Sequence, residues 1–205
     1  MFITLEGPEG SGKSRQIAPL AEFLKKRDYK VITTREPGGT PISDQVRKII
    51  MNMKNKEMHP RTEILLFCSA RAQLVEEIIR PGLAEGKIIL SDRYADSTLA
   101  YQGFGHGYDR KILTQLLDFV TGELWPDLTL LLDVDVEEGL SRRRNSGGEW
   151  NRLDDYEVAF HKRVRKGYLE MAHLEPERWK IIDASQTPEK VQLDLQQAVL
   201  DRLLK

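Results

Sequence analysis

Gly7-Pro8-Glu9-Gly10-Ser11-Gly12-Lys13-Ser14 fits the pattern G-x-x-x-x-G-K-[ST] at every required position. The apolar segment Phe2-Ile3-Thr4-Leu5 precedes it, and Ile17, Leu20, Ala21 and Leu24 recur behind it at helical spacing. The stretch reads as strand, loop, helix, the context in which this pattern has a mechanism. Backbone N–H groups, left free to converge by Gly10 and Gly12, can surround phosphate oxygens at a helix N-terminus, while Lys13 neutralises charge on the β and γ groups. Ser14 is placed to ligate magnesium. Such a loop predicts a bound nucleoside triphosphate but names no acceptor, since GTPase switches and motor ATPases carry the same device.

Working outward, Lys30 to Thr34 is a β-branched run that ends at the turn Arg35-Glu36-Pro37-Gly38-Gly39. Thr62 to Ile79 recurs at helical spacing until Pro81-Gly82 and Gly86 break it, and Lys87 to Ser91 is the next strand. Tyr94 to Tyr101 and Asp109 to Thr121 read as helices; Leu128 to Val134, the most apolar run, reads as a strand buried on both faces. Helical stretches Val136 to Arg144 and Tyr156 to Leu174 flank a polar segment, Trp179 to Asp183 is a fifth strand, and Val191 to Leu204 closes as a helix. Alternating strands and helices predict an α/β fold, a doubly wound five-stranded parallel sheet covered by helices on both faces. In such sheets ligands bind beyond the carboxyl ends of the strands. Asp92 and Arg93 stand there, a carboxylate able to hold magnesium through water with a guanidinium beside it. Arg35, Arg71 and Arg93 could converge on one anionic substrate, although each alone also reads as a solvated surface charge.

Composition narrows the classes. The 205 residues suit one domain, 40% hydrophobic and 31% charged residues exclude a mainly disordered chain, and 31 basic against 32 acidic residues leave a net charge of −1. That balance offers no uniform positive field, so nucleic acid is not the expected partner. The lone Cys68 can form no intramolecular disulfide, which fits a reducing cytosol. No apolar run approaches the roughly 18–20 residues of a membrane span. The N-terminus lacks a charged leader and a cleavage signal, so a cytoplasmic protein that starts folding at residue 1 is expected.

Glu6 to Ser14, Arg35-Glu36-Pro37-Gly38-Gly39-Thr40-Pro41, Leu66-Phe67 through Arg71, and Asp92-Arg93-Tyr94 with Ser97 and Ala100-Tyr101-Gln102-Gly103 together resemble the thymidylate kinases, the bacterial ones in particular, over about residues 3 to 183. The resemblance implies one P-loop kinase domain over 1–205 that transfers the γ-phosphoryl group of ATP to thymidylate (dTMP), with Mg²⁺ as cofactor and a homodimer as the assembly. It makes Gly7, Pro8, Glu9, Gly10, Ser11, Gly12, Lys13, Ser14, Arg15 and Arg142 the ATP-binding set, with Arg142 over adenine, and Ser14 and Asp92 the metal-proximal pair. Glu9 resembles the carboxylate that meets the sugar 3′-hydroxyl, Arg35 and Arg93 the arginines directed at phosphate, and Phe67 the ring that stacks on thymine. Arg71 and Thr98 are similar to groups at the base edge, Tyr101 to the ring that crowds out a ribose 2′-hydroxyl, and Gln102 to an amide that approaches the nucleotide. Segment 142–154 resembles the mobile lid of nucleotide kinases, and with no arginine inside the phosphate loop the catalytic arginine is expected there. Lys13, Arg93 and Arg144 form the expected catalytic set, Arg144 being chosen over Arg143 and Arg152. Arg15 departs from the Thr or Ser that relatives carry after the loop hydroxyl. A kinase for another nucleoside monophosphate and a nucleotide-dependent switch are the competing readings.

Overall fold

The computed structural model describes residues 1–147 and 150–204. Five parallel strands, β1 (Phe2–Glu6), β2 (Val31–Arg35), β3 (Ile88–Asp92), β4 (Leu128–Asp133) and β5 (Trp179–Asp183), form one sheet in the order β2-β3-β1-β4-β5. The order follows apolar content. β1 and β4 are buried nearly end to end and lie inside, whereas the two edge strands alternate with exposed positions. Register pairs Leu5 with Asp92 and Arg35 with Asp92, so the phosphate loop, Arg35 and Asp92 all emerge at one end of the sheet.

Helices α1 (Lys13–Lys25) and α9 (Pro188–Leu203) cover one face through Leu20, Leu24, Leu195 and Val199. On the other face lie α3 (Pro60–Leu74), α6 (Arg110–Thr121) and α8 (Val158–Leu174), packed through Leu74, Leu117, Val164 and Tyr168. The doubly wound α/β architecture expected from the pattern is the one observed. Helix α2 (Pro41–Met51) was not expected; Thr40 caps it by accepting from Ser43 N, with Pro41 in its first turn.

Two expected helices are interrupted. The run Thr62 to Ile79 is α3 followed by a π-helical turn, Val75–Ile79, before α4 (Arg80–Ala84). Pro81 lacks an N–H and crowds the carbonyl four residues back, and the wider turn absorbs that loss. Tyr94 to Tyr101 is the short α5 (Ala95–Thr98) continuing as a π-helical segment, Leu99–Gly105. Helix α7 (Val136–Asn145) follows β4 directly.

Candidate active site

The phosphate loop turns from β1 into α1, and two of its glycines are needed for conformation. Gly12, with φ 90°, forms the N-cap of α1. Gly10, with φ 71°, lies back to back with Gly139 of α7; a Cβ on either residue would run into the backbone of the other segment. The loop and the root of α7 therefore share one wall.

Lys13 opens α1 with its ammonium turned into the loop, where Nζ donates to Gly7 O at 2.9 Å, Pro8 O at 2.8 Å and Ser11 Oγ at 3.1 Å. Burial, aided by the charge of Arg93, pulls its pKa down to about 8 against Glu9, Asp92 and Glu6. The Ser14 hydroxyl donates to the Asp92 carboxylate, joining the first turn of α1 to the end of β3. Two hard oxygen donors beside a phosphate cradle suit Mg²⁺, which keeps waters and takes one or two carboxylates with substrate phosphates. Among the described residues there is no group of three or more His, Cys, Asp or Glu that could hold a metal by itself.

Arg93 follows β3 with φ 72°, a left-handed conformation that costs a non-glycine residue about 1–3 kcal/mol. Its guanidinium spends that strain on convergence: Nη2 donates to Glu9 Oε1 at 2.8 Å and the Tyr101 hydroxyl at 3.1 Å, and Nη1 to Gly7 O, Ser97 Oγ and the Tyr168 hydroxyl, each at 3.2 Å. Tyr101 also donates to Glu9 at 2.7 Å. Burial alone would push the Glu9 carboxyl up, but Arg93, Lys13 and the Tyr101 hydroxyl prevail and bring its pKa down to about 2. Glu6, the last residue of β1, accepts from Tyr94 N, Ser97 Oγ and the Tyr168 hydroxyl at 2.7, 2.6 and 2.9 Å. Burial and the neighbouring Asp96 push its pKa up to about 7, opposed by Arg93 and the hydrogen bonds from Ser97 and Tyr168.

A cavity of about 1280 Å³ connects this loop to a second cluster. Phe67 stands half-buried on α3, and Arg71, one turn on, is buried: Nε donates to Glu36 Oε2 at 2.7 Å, Nη1 to Thr98 Oγ1 and Nη2 to Tyr94 O, both at 3.0 Å. Thr98, Tyr101 and Gln102 complete that wall. Arg35 is exposed, 3.5 Å from Asp44, and Arg47 beside it donates to Pro37 O at 2.8 Å; both line the cavity.

The arginines of the expected lid separate. Arg142 donates to Ala184 O at 2.6 Å and lines the loop end of the cavity, as does Arg143, which forks onto Asp154 at 3.0 and 2.8 Å. Arg144 is exposed over the Trp150 ring, 5.7 Å from its centroid, outside the cavity-lining residues. Arg152 is buried, donating to Glu63 and to Ile50 O. Gly148 and Glu149 of the expected lid lie outside the described residues. Arg15 is exposed at the cavity rim. Sequence reasoning gave no role to Glu6, Glu36, Arg47, Glu63 or Tyr168; for Glu6 and Glu36 the signal was present, since both sit at strand ends inside the quoted motifs.

Comparison with known proteins gives the family of the whole chain. The family model described as thymidylate kinase matches residues 5–195. The thymidylate kinase of Roseiflexus sp. (strain RS-1) is 50% identical over 200 residues, covering 92% of this chain and 88% of its own, and that of Thermomicrobium roseum is 51% identical over 190 residues, covering 93% and 90%. The crystal structure of thymidylate kinase from Ehrlichia chaffeensis superposes with a TM-score of 0.78 at 35% identity, covering 97% of this chain and 98% of that one. A match running from the end of β1 into α9, and so across both ends of the cavity, means that the chain belongs to the thymidylate kinase family.

Proposed function

We propose that the protein transfers the γ-phosphoryl group of ATP to the 5′-phosphate of thymidylate, giving ADP and thymidine diphosphate. One observation carries the reading: a single cavity is lined at one end by the phosphate loop and at the other by Phe67, Arg71, Thr98, Tyr101 and Gln102. The acceptor is already an anion, so positioning and charge neutralisation carry the rate and no strong base is required. The loop residues 7–15 hold the triphosphate, Lys13 turns its ammonium to the β and γ groups, and Arg142 lies over adenine. Ser14 and Asp92 would hold Mg²⁺, which when bound withdraws charge from the phosphate oxygens. Arg35 and Arg93 orient the acceptor phosphate, Glu9 meets the sugar hydroxyl, Tyr101 closes the space beside it, and Phe67 stacks on the base that Arg71, Thr98 and Gln102 address.

The chain is read as one P-loop kinase domain whose lid, 142–154, excludes water as it closes. Closure would bring Arg144 to the transferred group; Arg143, which already lines the cavity, is the competing candidate. A cytoplasmic homodimer is proposed. No described helix is long and apolar enough to cross a membrane. The apolar side chains left outward on α2, α3 and α6, Ile49, Leu65, Ile112 and Phe119, support a second copy as the partner. A steady-state assay with ATP, Mg²⁺ and each nucleoside monophosphate tests the activity. Diphosphate formed in step with ADP, and fastest from thymidylate, is expected; ADP release without diphosphate, or preference for another monophosphate, overturns it.

A further inference from the structure

Glu63, on α3 one turn before Phe67, is 1% exposed, and its two oxygens face different parts of the molecule. Oε1 accepts from Gln102 Nε2 at 2.6 Å, with His106 Nε2 3.8 Å away. Oε2 accepts from Arg152 and, at 3.3 Å, from the Tyr156 hydroxyl. A carboxylate paired with a guanidinium can only accept hydrogen bonds. The Gln102 amide is thereby denied a choice: its NH₂ turns to Glu63 and its carbonyl oxygen turns the other way, on a residue that lines the cavity.

Gln102 lies four residues after Thr98, which engages Arg71. Arg71 carries five N–H donors. Nε and Nη2 are committed to Glu36 and Tyr94 O, and one Nη1 hydrogen to Thr98, which leaves the second Nη1 hydrogen for a ligand. The wall offers a carbonyl acceptor from Gln102 and a guanidinium donor from Arg71. A pyrimidine with an N3–H and a 4-carbonyl complements that pair, whereas cytosine, with an N3 acceptor and a 4-amino donor, presents the reverse.

We propose that Glu63 is a specificity-determining positioning residue: by taking the Gln102 NH₂ it holds that amide with its oxygen toward the cavity, and so selects a pyrimidine bearing N3–H over cytosine. The inference rests on the acceptor nucleotide occupying the Phe67–Arg71 end. Glu63→Gln tests it, because an amide can accept from or donate to Gln102 and frees it to flip. The ratio of kcat/KM for thymidylate to that for deoxycytidylate, the latter read as turnover or as competitive inhibition, is expected to fall about tenfold or more, since a flipped amide sets its donor against the N3–H of thymine and meets the N3 acceptor of cytosine. The KM for ATP is expected to stay within about twofold, because donor binding does not differ between the two acceptors. An unchanged ratio overturns the proposal. Should Glu63→Gln fail to fold with Arg152 unpaired, the double variant Glu63→Gln, Arg152→Gln carries the same expectation and the same refutation. Gln102→Ala, run alongside, separates the failures. A thymidylate KM unmoved by Gln102→Ala removes the nucleotide from this end; a raised KM with an unmoved Glu63→Gln ratio removes only the role of Glu63.

Discussion

Lys13 is buried among three loop oxygens, and the desolvation that lowers its pKa to about 8 offsets the hydrogen bonds it donates to them. Lys13→Ala is therefore expected to lower kcat by roughly 10²–10³-fold or more while the thermal midpoint moves little; turnover near that of the unaltered protein would refute its role. Glu6 and Glu9 make opposite pH statements. Glu9 falls from 4.5 to about 2 on folding, so its contribution is full above pH 4.5 and is lost as pH drops toward 2. Glu6 rises from 4.5 to about 7, so its contribution is full below pH 4.5 and is lost as pH climbs through 7. Melting curves between pH 5 and 8 should show the unaltered protein losing more stability with rising pH than Glu6→Gln, whose amide oxygen still accepts from Tyr94 N. Parallel curves would place the ionisation elsewhere. Lys13 and Ser14 were legible because their motif fixes both spacing and context. Glu63 and Arg47 were not, since an isolated charged residue in a sequence looks the same whether folding buries it or leaves it in water.

The helix α7 begins against the phosphate loop, with the backbone of Gly139 in contact with that of Glu9 and Gly10. A methyl group at 139 has no flexible side chain to displace, so Gly139→Ala should push α7 off the loop. Overpacking of this kind costs typically about 1–3 kcal/mol, and we expect a matching loss of stability with a KM for ATP raised more than that for thymidylate. Equal changes in both would mean that α7 does not belong to the donor end. The arginines of the proposed lid are tested at the same scale. If closure carries Arg144 inward, Arg144→Ala should lower kcat at least about tenfold and Arg143→Ala less; the reverse order would give the role to Arg143. Element types were readable wherever apolar spacing was long, as in α1 and α8. Helix α2 escaped because its apolar positions Ile42, Val46, Ile49 and Ile50 span barely three turns behind a glycine-rich turn, although Thr40-Pro41 was a start signal. The π-helical segments escaped because a hydrophobic pattern cannot separate them from an α-helix when the extra residue per bulge only shifts the face presented.

At the scale of the whole molecule, parallel alternation followed from the sequence, but the order β2-β3-β1-β4-β5 did not, because several orders satisfy the same right-handed connections. The outward apolar residues of α3 and α6 are a whole-molecule matter as well. Leu65 and Ile112 are 60% and 64% exposed. Replacing both by Arg should convert the proposed dimer into a monomer in sedimentation velocity with the fold retained; an unaltered sedimentation coefficient would remove this face from the assembly. One further consequence concerns heat. Arg93 is gripped by Glu9, Tyr101, Ser97 and Tyr168, all groups of the protein itself. Freezing that long, rotamer-rich side chain is thus a cost borne by folding, so the catalytic cycle should carry a small entropic barrier from this residue, and loosening any of its holders should steepen that barrier before it alters affinity.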